Sequence, residues 1–236
     1  MRLALALVLT LLQPAHAADP SPTDPMAQRM QACAACHGRE GRAGSDGYYP
    51  RIAGKPQAYL YRQLLNFRER RRGYAPMTHM VKLLSDDYLN EMAAYFAQLD
   101  LPYPAPQTGA TTPQGLALGA ALVRQGDAAR GIPACVSCHG EALTGVLPAV
   151  PGLLGLPRDY INAQLGAWAT GLRTAPEPDC MARVVAPLNA QDVAALSMWL
   201  ASQPVPLQAK AAPAPQSAGV GTVPCGGLPA ARATAR

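Results

Sequence analysis

Apolar residues recur at intervals of three and four positions in two stretches of the chain, one in each half, and this is the spacing of one face of an α-helix. These residues are Leu60, Leu64 and Phe67 in the first stretch, and Ile161, Leu165 and Trp168 in the second. Pro56 and Pro157 stand just before the two stretches, and the first turn of a helix tolerates proline. The pattern therefore predicts one amphipathic helix in each half.

A second helix is predicted further along each half. Ser85 and Asn189 are residue types that commonly cap the N-terminus of a helix, and apolar residues at helical spacing follow each of them. These residues are Leu89, Met92 and Phe96 in the first half, and Val193, Leu196 and Leu200 in the second. The two halves therefore share the same order of helices.

The two halves also share individual residues at matching positions. Pairs of identical residues recur 101 positions apart: Pro50, Gly54, Pro56, Tyr59, Gln63 and Leu64 match Pro151, Gly155, Pro157, Tyr160, Gln164 and Leu165. A repeat of this length indicates a duplicated structural unit. We predict an all-α fold with one domain in residues 18–102, a Pro- and Thr-rich linker in 103–113 and a second domain in 114–202. Residues 203–236 are rich in Pro and Ala, lack periodicity, and are expected to be mostly disordered.

The first 17 residues have the pattern of a secretory signal peptide. An apolar run follows Arg2, and Ala15-His16-Ala17 has the small-x-small form that a signal peptidase cleaves. We expect cleavage after Ala17 and export to the periplasm. No later apolar run approaches the about 18 residues that a membrane-spanning helix needs. The formal net charge of +5 becomes +4 once Arg2 is removed, with +2 in residues 18–105 and +2 in residues 106–236. A charge this mild and evenly divided argues against nucleic-acid binding.

Each half contains one Cys-x-x-Cys-His motif, "CAACH" at 33–37 and "CVSCH" at 135–139. This motif is the attachment signature of c-type haem, in which two thiols bond to the porphyrin and the adjacent histidine binds the iron. A redox-active Cys pair would need a βα context, a zinc site would have to join distant halves, and structural disulfides would not require the histidines. We predict two haems, attached through Cys33, Cys36, Cys135 and Cys138 and bound by His37 and His139.

The second axial position of each iron decides whether a haem carries electrons or binds ligands. We expect its occupant in the loop between the two predicted helices of each half. Met77 and Met181 both lie eight residues before the predicted cap of the second helix. Met80 has Val184 as its counterpart, so Met77 is the better candidate. The alternative is that these methionines only fill the core.

Roles are also predicted for several residues outside the motifs. A haem-binding histidine needs an acceptor for its other ring N–H, and the carbonyls of Pro50 and Pro151 could provide it, unless these prolines only turn the chain. His79 is expected to face solvent, with exchange onto the iron as the alternative. A run of cations lies at the end of a predicted helix, where positive charge interacts favourably with the helix dipole. The run consists of Arg68, Arg70, Arg71 and Arg72. The alternative is that these residues form a docking patch or bind a haem propionate.

With both copies laid out, the sequence resembles the cytochrome c4 family, which are two-haem periplasmic proteins built from two class I cytochrome c domains. The matching segments are "CAACHG", "YPRIAGKPQAYLYRQL", "MTHM" with the nearby "LSDDYLNEMAAYF", "GIPACVSCHG", "YINAQL" and "MARVVAPLNAQDVAALSMWL". The resemblance implies His/Met ligation of both irons, by His37 with Met77 and by His139 with Met181. It also implies two haem domains related by a pseudo-two-fold axis, and electron transfer to membrane terminal oxidases.

The chain departs from this family at its end, where about 35 residues follow the last predicted helix. Two cysteines remain after the four haem thiols are assigned. In an oxidising compartment we expect a Cys180–Cys225 disulfide that holds the tail beside the second haem. The alternative is that Cys180 replaces Met181 as a thiolate ligand, which would indicate a sulfur-oxidising enzyme.

These features favour an electron carrier without catalytic residues over an enzyme, since neither a Ser/His/Asp set nor a carboxylate pair is evident near the motifs. We expect a monomer that exchanges electrons with an upstream quinol-oxidising complex or periplasmic dehydrogenase and with a terminal oxidase. It would approach the membrane only through these partners. The alternatives are a cytochrome subunit of a periplasmic dehydrogenase complex, and a two-haem sulfur-compound dehydrogenase that uses Cys180.

Overall fold

A computed structural model of the chain describes residues 25–44, 46–109, 111–214 and 224–228. The predicted signal peptide, residues 1–17, lies outside these ranges. Among the described helices, none has both the length and the apolar character that a membrane span requires.

Each half of the chain contains five α-helices within the described ranges. The N-terminal half contains α1 (Pro25–Arg29), α2 (Gln31–His37), α3 (Gln57–Arg68), α4 (Ala75–Val81) and α5 (Asp86–Gln98). The C-terminal half contains α6 (Pro113–Arg124), α7 (Val136–His139), α8 (Arg158–Ala169), α9 (Cys180–Val185) and α10 (Ala190–Ser202). Short 3-10 turns cover Arg39–Gly41 and Ala128–Arg130, and β1 (Gly145–Val146) pairs antiparallel with β2 (Val150–Pro151).

The four helices predicted from the apolar pattern are confirmed as α3, α5, α8 and α10. Ser85 caps α5, because its side chain accepts a hydrogen bond from the Tyr88 amide at 3.2 Å. Asn189 caps α10 in a capping box with Asp192. The prediction missed α6, and it described the short helices α4 and α9 as loops.

Each half has its own hydrophobic core. In the N-terminal half the core lies between α3 and α5, and in the C-terminal half α10 packs on both α6 and α8. The predicted apolar positions that are buried are Leu60, Phe67, Leu89, Met92, Phe96, Ile161, Leu196 and Leu200. Burying side chains of this size stabilises the fold by about 1.5–3 kcal/mol each. Two separate cores are what a duplicated cytochrome c domain requires.

The two halves join through equivalent segments. The backbone of Arg72 pairs antiparallel with that of Arg173, the Gly73 amide donates to the Leu172 carbonyl at 2.6 Å, and the Thr174 amide donates to the Arg71 carbonyl at 2.6 Å. Because each half contributes the same segment, the contact is related by a pseudo-two-fold axis.

Beneath this pairing, both arginine side chains reach across the junction. Arg72 donates to Gln164 at 2.7 Å and Arg173 donates to Gln63 at 2.9 Å, while each also bonds the glutamine of its own half. Arg72 further donates to the Tyr160 hydroxyl at 2.8 Å. The recurrence of Gln63 as Gln164 in the sequence therefore reflects this shared junction.

The described part of the C-terminal tail is held by both halves. Lys210 donates to the carbonyls of Ala97 and Gln98 at the end of α5, at 3.1 and 3.0 Å. The Ala212 amide donates to the Gly145 carbonyl at 2.9 Å and so adds to β1. This differs from the expectation of disorder in residues 203–214 and 224–228, because backbone pairing and a disulfide hold them without any apolar periodicity. The other tail residues lie outside the described ranges.

Candidate functional site

The two Cys-x-x-Cys-His motifs lie on short helices that place both thiols of a motif within one turn. Cys33 and Cys36 lie on α2, which ends at His37. Cys135 precedes α7, which contains Cys138 and ends at His139. All four thiols are free, and residues three apart on a helix lie on one face. Each pair can therefore reach one edge of a flat macrocycle.

The surroundings of one thiol in each motif, that of Cys33 and that of Cys135, favour the protonated form. Burial raises the pKa of Cys33, and it raises the pKa of Cys135 to about 11. A redox-active cysteine pair uses a thiolate, which a lowered pKa would favour, so these surroundings are not typical of such a pair. Within the described part of the chain, no group of three or more His, Cys, Asp or Glu side chains is arranged to hold a metal ion.

The two motif histidines are buried and oriented in the same way. Nδ1 of His37 lies 2.9 Å from the Pro50 carbonyl oxygen, and Nδ1 of His139 lies 2.8 Å from that of Pro151. Because a carbonyl can only accept, Nδ1 must carry the proton, which leaves the Nε2 lone pair free for a metal. Burial lowers the pKa of both histidines, against the opposing effect of these hydrogen bonds. Both rings are thus neutral and suited to bind iron.

The predicted methionines lie at matching places on α4 and α9. Met77 is half-buried against the N-terminal core, whereas Met80 on the same helix is 49 % exposed. Met181 is half-buried on the second residue of α9. Exposure therefore favours Met77 over Met80 as a ligand that reaches the interior.

The described residues offer donors that fit the carboxylates of haem. Arg72 and Arg173 are 8 % and 5 % exposed, and neither forms an ion pair with a carboxylate in the part of the chain described. The indole Nε1 of Trp168 is buried without an acceptor, and Arg173 stacks on its ring at 3.8 Å. Buried cations and orphaned donors are costly. A group that brings carboxylates, as each haem does with its two propionates, fits this junction.

The remaining cations of the arginine run do not form one patch. Arg68 donates to the Asp86 carboxylate at 2.5 Å, Arg71 pairs with Glu69, and Arg70 is exposed. His79 is exposed on α4, as expected. Within this run, only Arg72 is buried at the junction of the two halves.

Sequence reasoning missed Lys55, which reaches from the N-terminal half into the C-terminal half. Its Nζ donates to the Gly152 carbonyl at 3.2 Å, and Gly152 follows Pro151, the acceptor of His139. Burial lowers the pKa of Lys55 to about 8, and its charge also lowers the pKa of His139. The repeat contained a signal, since Leu156 stands where the second half would repeat this lysine.

The last two cysteines are bonded to each other in the structure. The sulfur of Cys180 is linked to that of Cys225, so it is not a free thiolate that could replace the adjacent Met181. The disulfide joins the tail to the first residue of α9.

Known proteins that match most of the chain include the following two sequence relatives and one crystal structure. The chain is 37% identical over 177 residues to "Thiosulfate dehydrogenase electron acceptor" of Thiomonas intermedia, which covers 74% of this chain and 79% of that protein. It is 34% identical over 201 residues to cytochrome c4 of Pseudomonas aeruginosa, with coverage of 84% and 95%. The crystal structure of reduced cytochrome c4 from Pseudomonas stutzeri superimposes with a TM-score of 0.66 at 30% identity, and covers 75% of this chain and 96% of that one.

A family model also matches the N-terminal half. The model is described as cytochrome c oxidase, cbb3-type, subunit III, and it matches residues 22–96. This segment includes the first Cys-x-x-Cys-His motif, α3 and α4.

Proposed function

Since this chain belongs to the cytochrome c4 family and carries two covalently bound haem c groups, we propose that it is a periplasmic carrier that moves single electrons between redox proteins. The observation that carries the proposal is the duplicated pair of neutral histidines, each anchored through Nδ1 to a proline carbonyl. The proposed domains are residues 18–102 and 114–202, joined by 103–113, and the two separate cores support them.

The described side chains support an assignment of ligands in each domain. Cys33 and Cys36 would hold the first haem, and Cys135 and Cys138 the second. His37 with Met77, and His139 with Met181, would complete the two iron sites. A bound haem supplies one-electron chemistry between ferric and ferrous iron.

The surrounding protein would keep this chemistry to electron transfer. A histidine and a methionine would hold each iron and would leave no open site for a substrate, and a thioether ligand would raise the reduction potential. Arg72 and Arg173 would neutralise buried propionates. The junction holds the two halves together, so that electron exchange between the haems would not require the two domains to associate first.

A spectroelectrochemical titration of the purified holoprotein tests this proposal. We expect each chain to take up two electrons in one-electron steps, with no loss of spectral reversibility over repeated cycles. Binding of carbon monoxide to the ferrous protein would contradict it, because a six-coordinate carrier has no open position. Myoglobin, which has an open site, provides the positive control for ligand binding.

A second candidate function concerns the electron donor. The similarity to a thiosulfate dehydrogenase electron acceptor favours a donor that oxidises thiosulfate. In this case thiosulfate alone would leave the ferric protein unchanged, while thiosulfate with a thiosulfate dehydrogenase would reduce it. Rapid reduction by thiosulfate alone, lost in Cys180→Ala, would instead support the enzyme alternative. The disulfide between Cys180 and Cys225 argues against that alternative, because it leaves Cys180 without a free thiol.

The proposed location and partners follow from the same features. Cleavage after Ala17 and export are consistent with a disulfide, which persists in an oxidising compartment. A quinol-oxidising complex or a dehydrogenase would then reduce the protein, and a terminal oxidase would accept its electrons.

A further inference from the structure

The C-terminal tail returns to the segment that leads into α9, the helix of Met181. Cys225 is bonded to Cys180, and the Gly226 amide donates to the Pro178 carbonyl at 2.9 Å. A side chain at Gly226 would collide with the backbone carbonyl of Glu177. The backbone of the tail therefore lies directly against the residues before Met181.

The two methionine helices are anchored differently within their own halves. On α4, the Thr78 hydroxyl next to Met77 donates to the Phe67 carbonyl of α3 at 3.1 Å. The residue at the same place on α9 is Ala182, next to Met181, and alanine has no hydroxyl to make this bond. The C-terminal half therefore lacks the anchor that ties the N-terminal methionine helix to its neighbour.

The helix α9 packs on α8 and buries Val185 at its C-terminal end, and a separate set of contacts holds its start. It is six residues long, and helices shorter than about 12 residues are marginal without tertiary contacts. The buried carboxylate of Asp179 caps it by accepting from the amides of Ala175 and Ala182, at 2.7 and 3.0 Å. The disulfide follows directly at Cys180. These contacts fix the start of α9, which is where Met181 lies.

We propose that the tail, through the Cys180–Cys225 disulfide, positions Met181 on the second haem iron. It replaces in the C-terminal half the hydrogen bond from Thr78 to Phe67 that steadies Met77 in the N-terminal half. This inference rests on the proposed ligation of both irons by methionine. Breaking the disulfide would leave Met181 bound more weakly and more easily displaced, while Met77 stays unchanged.

The test compares the two haems within one molecule. The protein is the full-length holoprotein with Cys180→Ser and Cys225→Ser together, and the probe is imidazole added to the ferric form. Hyperfine-shifted proton resonances of the two methionine methyl groups, recorded in the same ferric form and assigned with Met77→Ala and Met181→Ala, show which haem keeps its ligand. We expect imidazole to displace Met181 at a concentration about tenfold lower than in wild type, with no change at Met77.

A matched variant loosens the other helix. Thr78→Val keeps the branched shape of the side chain but removes the hydroxyl, and it should ease displacement of Met77 and leave Met181 as in wild type. Equal behaviour of the two haems in both variants would overturn the proposal, because it would show a general loss of stability. Unchanged imidazole affinity at the second haem in the double serine variant would overturn it as well.

Two further controls keep the test decisive. If the double serine variant does not fold, the folded wild type is treated with dithiothreitol. This reagent reduces the disulfide to two thiols, at Cys180 and Cys225, and is itself oxidised to its cyclic disulfide. The thiols are alkylated, the haems are reoxidised with ferricyanide, and the imidazole titration is repeated. Absence of a methionine signal from the second haem in wild type would instead refute the proposed ligation itself, and this inference with it.

Discussion

Asp192 joins the start of α10 to the segment before the second haem motif, and Asp192→Asn should weaken the C-terminal half selectively. The carboxylate is 3 % exposed as a side chain and accepts from Arg130 Nη1 at 2.7 Å and Nη2 at 3.2 Å. It also accepts from the Asn189 amide at 2.9 Å in the capping box. Asparagine has nearly the same shape and can keep the bond to the Asn189 amide, so the change removes mainly the charge that faces Arg130.

The expected loss follows from the exposure of the two partners. Hydrogen bonds to charged groups contribute about 1.5–3 kcal/mol, and the side chain of Arg130 is 35 % exposed, so solvent screening reduces this to about 1–2 kcal/mol. For a domain of this size, such a loss lowers the melting temperature by roughly 5–10 °C.

The assay follows thermal unfolding through the methionine-to-iron absorption of the ferric protein. The variants Met77→Ala and Met181→Ala assign this absorption to the two halves, so that the unfolding of each half is followed separately. The C-terminal half should melt earlier in Asp192→Asn, and the N-terminal half should not change. Glu141→Gln is the matched control in the same half, because its ion pair with Arg124 is long, 3.6 Å, and exposed. An equal shift of both halves, or none, would refute the reasoning.

The pH dependence gives a second check on the same pair. Hydrogen bonds from Arg130 lower the pKa of Asp192 in the folded state, so its stabilisation is complete above the pKa of an unfolded aspartate, about 3.9. It is lost as the pH falls from there toward the lower folded pKa, because the folded protein must then take up a proton. The difference in melting temperature between wild type and Asp192→Asn should therefore be full at pH 7 and shrink below about pH 4.

Other perturbations test the core, the tail, the junction and the cofactor. Leu89→Ala empties a fully buried position and should cost about 3–5 kcal/mol by denaturant titration, whereas the exposed Leu83→Ala should change little. Cys225→Ser opens a disulfide that spans 45 residues, and the free energy of unfolding should fall by up to about 4 kcal/mol; an unchanged denaturation midpoint would count against the disulfide. Gln63→Leu leaves donors of two buried arginines unpaired, so the amide of Gly73, which bonds across the junction, should exchange with deuterium faster. Protein expressed without haem should show no cooperative melting, because each domain is small and its core is completed by the cofactor.

Periodicity and repetition allowed much of the fold to be predicted from the sequence. Apolar residues recur at helical spacing in α3, α5, α8 and α10, and the caps Ser85 and Asn189 mark where two of these helices begin. The helix α6 was missed although its apolar residues lie mainly on one side, because Gly115 and Gly119 lower the helical propensity of this segment. The helices α4 and α9 are too short to show periodicity at all.

The site was predictable where chemistry depends on spacing along the chain. The motifs alone indicated the histidines and thiols that would hold the haems. The position of Pro50 and Pro151 along the sequence, shortly after each motif, indicated the carbonyls that lie against Nδ1 of the histidines. Contacts across the junction could not be predicted in the same way. The repeat of Gln63 as Gln164 was visible, but only the structure brings both residues to the same pair of arginines, and nothing in the sequence predicts that Lys55 reaches Gly152.

The central claim is that each chain carries two haems, each bound by one histidine and one methionine. The most direct measurement is the weak long-wavelength absorption of methionine sulfur on ferric haem, calibrated against haem content per chain, in wild type, Met77→Ala and Met181→Ala. The account predicts two haems per chain, with each variant losing about half of the band. A full band that survives either substitution, or a wild-type protein with the band from only one haem, would contradict it.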